Sequence, residues 1–209
     1  MSIDVEIEPA VDDPLAPKPY EMKALEAFRS PDETRENCST VWCYDGRESG
    51  FCFVATDGHT MLVRRSGACR TTALRTIAKD ASHPGVLRRC DGKTFNPDDY
   101  GARPPAWDSV FDTYVASLSG HDRADFYSWN PAYLARIEVV ESAARKRAVA
   151  DWVPASRYGS KKQEKKDRAQ AGDRIFATMR VPPMALDPLY FRIESAAALW
   201  EGLIMPRRT

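Results

Sequence analysis

Residues 51–65 read Phe-Cys-Phe-Val-Ala-Thr-Asp-Gly-His-Thr-Met-Leu-Val-Arg-Arg. Phe51 to Ala55 and Met61 to Val63 are rich in β-branched and aromatic residues, the composition of two strands. Asp57-Gly58 between them signals a tight turn, because glycine accepts the positive φ that a two-residue hairpin demands. His59 then begins the returning strand, its ring exposed or half buried at the hairpin end.

Working outward on the N-terminal side, Ile3 to Ile7 alternates apolar and acidic residues, the pattern of a half-buried strand. A proline-rich loop (Pro9, Pro14, Pro17, Pro19) follows. Met22, Leu25 and Phe28 then recur at helical spacing over Tyr20 to Phe28, and Ser30-Pro31-Asp32-Glu33 stops that helix. Val41 to Tyr44 reads as a strand, and Asp45-Gly46 to Gly50 as a turn into the hairpin. The order is strand, helix, strand, strand, strand.

The C-terminal half repeats that order. Ala124 to Trp129 reads as a strand, and Asn130-Pro131 as a helix start with Asn capping and Pro in the first turn. Tyr133, Leu134, Ile137 and Val140 continue the helix to about Arg147. Ile175 to Val181, Tyr190 to Glu194 and Leu199 to Met205 are three closing strands. Between helix and strands, Ser160 to Asp173 is charged and of low complexity, a solvated insertion, helical or disordered. Residues 66–123 are punctuated by Gly67, Pro84-Gly85, Asp91-Gly92, Asn96-Pro97 and Pro104-Pro105, with Thr72 to Ile77 and Val86 to Cys90 as candidate strands. The expected organisation is a single domain: a first βαβββ unit in 1–65, an irregular linker in 66–123, and a second unit in 124–209 with the charged insertion within 156–174.

Composition bounds the rest. The chain has 209 residues, and its 30 Lys+Arg balance 30 Asp+Glu, so total charge names no partner. An oriented basic face remains open, since a field depends on distribution. No apolar run approaches the roughly 20 residues of a membrane span, and the acidic N-terminus lacks the features of a signal peptide. A cytoplasmic protein without membrane partners is the expectation. Five cysteines (Cys38, Cys43, Cys52, Cys69, Cys90) include no Cys-x-x-Cys pair; reduced, mostly buried thiols are the plain reading, a metal site or disulfides the alternative.

Four strings in this order resemble the bacterial sliding clamp, the β subunit of the replicative DNA polymerase. They are Asp32-Glu33-Thr34-Arg35 followed by Val54 to His59 with its Ala-Thr-Asp-Gly-His; Pro105-Ala106-Trp107-Asp108-Ser109-Val110; Trp129-Asn130-Pro131-Ala132-Tyr133-Leu134; and Leu203-Ile204-Met205-Pro206-Arg207-Arg208. The resemblance covers roughly Tyr20 to Arg65 and Asp125 to Arg208. It implies an α+β fold: a clamp-like domain of two βαβββ units, antiparallel sheet outside and two helices on the inner face. Clamp rings contain about six such domains, so a chain with one implies a homo-oligomeric ring of about six copies.

The resemblance also implies two surfaces. A peptide-binding pocket would draw one wall from Thr56, Gly58, His59 and Met61, another from Pro105 and Val110, and its floor from Ile204, Met205 and Pro206. Such a cleft accepts the Leu and Phe side chains of an extended peptide from a DNA polymerase or another factor. Thr60-Met61 stands where clamps usually carry Arg-Leu, Asp108-Ser109 replaces a basic pair, and Arg207 occupies a commonly apolar position, so the rim charge is altered. The bland reading is a hairpin beside a core strand. The second surface is a helical lining that meets phosphates of double-stranded DNA without reading sequence: Lys23 and Arg29, then Arg136, Arg145, Lys146 and Arg147. Lys161, Lys162, Lys165, Lys166 and Arg168 are either a further basic element or simply a solvated face.

Enzyme chemistry is the third class. Asp57 and His59 are spaced as an acid–base or metal pair, yet Gly-x-Ser-x-Gly and a phosphate-cradling Gly-Lys-Ser/Thr loop do not occur. His83 and His121 lie in unpatterned stretches, so the expectation is no catalysis, no metal and no cofactor. The competing binding function is a monomeric clamp-like module that sequesters or regulates clamp-binding proteins.

Overall fold

The computed structural model describes residues 16–45, 50–70, 87–90, 111, 114, 129–154, 160–180 and 188–206. Helix α1 (Pro19–Glu26) opens the described chain. Strands β1 (Trp42–Asp45), β2 (Phe51–Thr56) and β3 (Thr60–Arg65) follow. A short 3-10 turn (Gly67–Arg70) and β4 (Leu87–Arg89) precede α2 (Pro131–Ala150) and α3 (Lys161–Asp173). The described chain closes with β5 (Thr178–Arg180), β6 (Leu189–Glu194) and β7 (Leu199–Ile204). The expected strands at Ile3 to Ile7 and Thr72 to Ile77, and Ala124 to Ser128 of a third, lie outside the described residues, as does the Pro105 to Val110 segment.

The seven strands of the described residues form one antiparallel sheet in the order β4-β1-β2-β3-β7-β6-β5. Setting β4 and α3 aside, the order reads alike from either end: each helix, α1 or α2, is followed by a meander of three strands. The two meanders join through their last members, β3 against β7, from Thr60 opposite Ile204 to Arg65 opposite Leu199. The fold is thus mixed α and β, with the central strands buried along most of their length.

Local chemistry explains the boundaries. Asn130 caps α2, its Oδ1 accepting from Ala132 N at 3.0 Å, with Pro131 in the first turn where a missing N–H costs nothing. The charged insertion is a helix, begun by Ser160, whose Oγ accepts from Gln163 N at 3.3 Å. β5 occupies only Thr178–Arg180 of the longer strand expected from Ile175, because Ile175 N is already bonded to Gly172 O at the end of α3.

Strand alternation divides the core in two. On one face, Cys43, Phe53, Ala55, Leu62, Phe191, Ile193, Trp200 and Ile204 meet Leu25 and Phe28 of the α1 segment and Ile137, Val140 and Ala144 of α2. Fully burying an apolar side chain of that size is worth about 1.5–3 kcal/mol. The other face carries Trp42, Tyr44, Cys52, Val54, Val63, Tyr190 and Leu203, with Cys69 and Phe111 packed on it. On this face Phe111 and Tyr114, from the stretch read as a linker, pack against the sheet, and Tyr114 donates its hydroxyl proton to Pro188 O.

The layers are also tied by charge. Glu21 in α1 is fully buried, with Arg64 of β3 and Arg147 of α2 beside it. Its carboxylate accepts from Arg64 Nε at 3.1 Å, from an Arg147 guanidinium N–H at 2.9 Å and from Lys18 N at 2.9 Å. Arg147 additionally bonds Asp151 and Ala16 O. Burial pushes the Arg64 guanidinium below its ordinary pKa, and Glu21 opposes that shift. On the opposite face Arg65 pairs with Glu201, which also accepts from the Tyr190 hydroxyl at 2.6 Å.

Candidate functional site

Thr56 opposite Met61 is the last strand pair before the hairpin tip, and Asp57 N donates to Thr60 O at 3.3 Å, so Gly58 and His59 are the two central residues of the turn. The turn is centred one residue on from the expected Asp57-Gly58, and side chains hold it there. Asp57 Oδ1 accepts from His59 N at 2.8 Å, Thr60 N at 2.7 Å and Thr60 Oγ1 at 3.0 Å. Thr56 Oγ1 donates to Thr60 O at 2.7 Å and accepts from Gly58 N at 3.0 Å. Gly58 has φ +87°, where a Cβ is strained.

Three other elements clasp this tip. From α2, an Arg136 N–H donates to Asp57 Oδ2 and to Thr60 Oγ1, both at 2.6 Å. The Arg136 guanidinium also lies 4.8 Å from the Tyr133 ring centroid, and Tyr133 stacks on His59 at 6.2 Å and 16°. From the loop after α1, an Arg35 N–H donates to Asp57 O at 3.1 Å. From the segment after β7, Met205 N donates to His59 O at 2.8 Å, which extends the β3–β7 ladder past Thr60 and Ile204. Burial alone would raise the Asp57 pKa; the Arg136 bond and the backbone N–H groups of His59 and Thr60 outweigh it and hold the carboxyl below the ordinary range.

The hairpin and the C-terminal Met-Pro segment, 146 residues apart at His59 and Met205, are therefore neighbours. Gly58, His59 and Met205 are exposed, and Met61 and Pro206 half-buried. Two expected pocket residues offer no surface. Thr56 is buried because its hydroxyl is consumed inside the turn, and Ile204 is fully buried because strand alternation turns it to the helices. Pro105 and Val110 lie outside the described residues. What the described residues present here is a ledge of the exposed His59 and Met205 with the half-buried Pro206, the His59 ring stacked on Tyr133.

The cationic residues divide as well. Lys23, Arg29, Arg145 and Lys146 are exposed. Arg29 donates to Ser39 O at 2.9 Å, and Arg145 pairs with Glu141 and bonds Ile175 O at 2.9 Å. Arg136 is half-buried and committed to the hairpin. Arg147, expected to face DNA, is buried at 1% exposure and paired with Glu21. The reason is helical period: Val140, Ala143, Ala144 and Arg147 lie on one stripe, and that stripe is the core face. The charge had suggested an outward residue; the spacing from Val140 was the signal that it points in.

Asp57 bonds the backbone N–H of His59, while the ring stacks on Tyr133. With its oxygens also engaged by Thr60 and Arg136, that carboxylate is a turn-former and ion-pair partner in this geometry. Among the described residues no group of three or more His, Cys, Asp or Glu could hold a metal ion, and no helix is long and apolar enough to cross a membrane. Sequence reasoning missed Arg35 and Tyr133 as supports of the tip. Both stood inside strings already singled out. No family model matches the chain, and no curated protein matches it.

Proposed function

We propose that this chain is a shortened, single-domain relative of the bacterial sliding clamp. In this reading its two repeated halves are βαβββ units, its copies close into a homo-oligomeric ring around duplex DNA, and the ring tethers a DNA polymerase or another factor through a short-peptide ledge. The observation that carries the reading is the Met205–His59 backbone bond. It joins two segments, far apart in sequence, that resemble clamp strings and that would have to meet to form a peptide cleft. The mirrored meander order supports the repeat. A ring suits weak, sequence-independent contacts, because topology and not affinity keeps it on DNA.

The packing of α3 favours a second reading. Ser142, Arg145, Lys146, Val149 and Ala150 of α2 line a cleft against α3. A ring would turn that side of α2 toward DNA, so α3, roughly 10 Å across, would stand in the opening. A monomeric clamp-like module that sequesters or regulates clamp-binding proteins has no such constraint. Light scattering coupled to size exclusion separates the two: a particle of about six times the 23.5 kDa chain mass is expected for the ring, and a monomer would refute it.

A further inference from the structure

Helix α3 carries its cations in an unusual place. Lys161, Lys162, Lys165 and Lys166 fall within its first six residues, all exposed, while Glu164 and Asp167 are half-buried. Gln163 donates to Asp167 Oδ1 at 2.7 Å, drawing that acid onto the helix surface. Positions i, i+1, i+4 and i+5 share one face of a helix. Cations at a helix N-terminus meet the positive end of the dipole, which costs about 0.3–1 kcal/mol per charge. The arrangement gives up helix stability and concentrates positive potential. Across a cleft of about 500 Å3, α2 adds Lys146, and α3 itself adds Arg168.

The composition of α3 narrows the partner. It has no aromatic side chain on which a base could stack, as single-strand binders use, and no apolar face to enter a lipid interface. A rigid row of lysines on roughly 7.5 Å of helix axis, at 1.5 Å per residue, suits a regular and dense array of charge, and a duplex presents one negative charge per about 1.7 Å of its axis. We propose that the lysine face of α3, continued by its own Arg168 and by Lys146 across the cleft, is a sequence-independent contact for the phosphate backbone of a nucleic-acid duplex. This surface shares the duplex with the reading above but needs neither the ring nor the peptide ledge.

The test is fluorescence anisotropy of the full chain with a DNA duplex of about 24 base pairs, from roughly 50 to 200 mM salt. The variant replaces Lys161, Lys162, Lys165 and Lys166 with Gln, which keeps helix propensity; a second variant places Arg at the same positions. The log–log salt slope is expected to fall by roughly 0.9 for each lysine that meets a phosphate, up to about 3.6, in the Gln variant and to persist in the Arg variant. Unchanged thermal unfolding shows that both variants are folded. A Gln-variant slope that falls by less than about 0.9, the share of a single lysine, would overturn the proposal. So would tighter binding of poly-glutamate or of a single strand of equal charge, which would assign the face to an acidic protein or to unpaired nucleic acid. Light scattering on the same samples keeps the ring separate: a monomer whose slope falls supports this surface without the ring, and a ring whose slope stays supports the reverse.

Discussion

Replacing Glu21 with Ala tests the fold at its most interdependent point. The carboxylate is fully buried and accepts from two guanidinium groups that are themselves 0% and 1% exposed. Removing one partner of a buried ion pair costs about 3–5 kcal/mol, because the other charge stays desolvated and unopposed. Arg147 keeps Asp151 and Ala16 O, and the Arg64 guanidinium keeps its place 5.5 Å from the Trp200 ring centroid, so the loss is shared between the two arginines. Against a total stability of about 5–15 kcal/mol for a domain, that loss is large. At about 2–4 °C per kcal/mol for a chain of this length, the melting temperature should drop by roughly 6–20 °C. Urea unfolding followed by far-ultraviolet circular dichroism gives the free energy and checks that the slope m is unchanged. The double variant Glu21→Met with Arg64→Met removes both charges of the pair together and should recover most of the loss. A Glu21→Ala change of less than about 1 kcal/mol, or no recovery in the double variant, would refute the claim that this pairing binds α1 to the sheet.

Three further outcomes follow from the geometry. A Cβ on Gly202 would lie 2.2 Å from Phe191 Cε1 and 2.8 Å from Met61 O, so Gly202→Ala should lower stability by about 1–3 kcal/mol. Phe191→Leu in the same chain should relieve part of that loss in urea titrations; no relief would mean that the ring is not the obstacle. The Asp57 carboxyl titrates below its unfolded value, so its stabilising effect is complete at neutral pH and is lost as pH falls through the folded-state pKa. The stability difference between wild type and Asp57→Asn should therefore be flat from about pH 7 to 5 and shrink below about pH 4, and a difference that grows in acid would contradict the pairing. Finally, Cys38, Cys43, Cys52 and Cys69 are buried and Cys90 exposed, with burial pushing the Cys52 and Cys38 thiols up. Brief alkylation of the native protein read by peptide mass mapping should find Cys90 first; prior modification of Cys52 would show that β2 opens.

The strands of the hairpin and the Asn130 cap were legible because they are short-range. The apolar runs of β-branched and aromatic residues on either side of Asp57-Gly58 are sufficient for β2 and β3, and Asn130-Pro131 marks the start of α2 within a few residues. The charged run from Ser160 was equally legible as an element, though composition left helix and disorder open. What the chain alone did not reveal was direction across long separations. Charge suggested that Arg147 points outward, but its partner Glu21 is 126 residues away and shares its face of the core. Ile204 and Met205 stand side by side in sequence; the pairing of Thr60 with Ile204 fixed which of them faces the helices and which the solvent. A backbone periodicity tells which residues share a face. Only the packing of one element on another decides which face is inside, because desolvation is a property of the assembled layers and not of any single helix or strand.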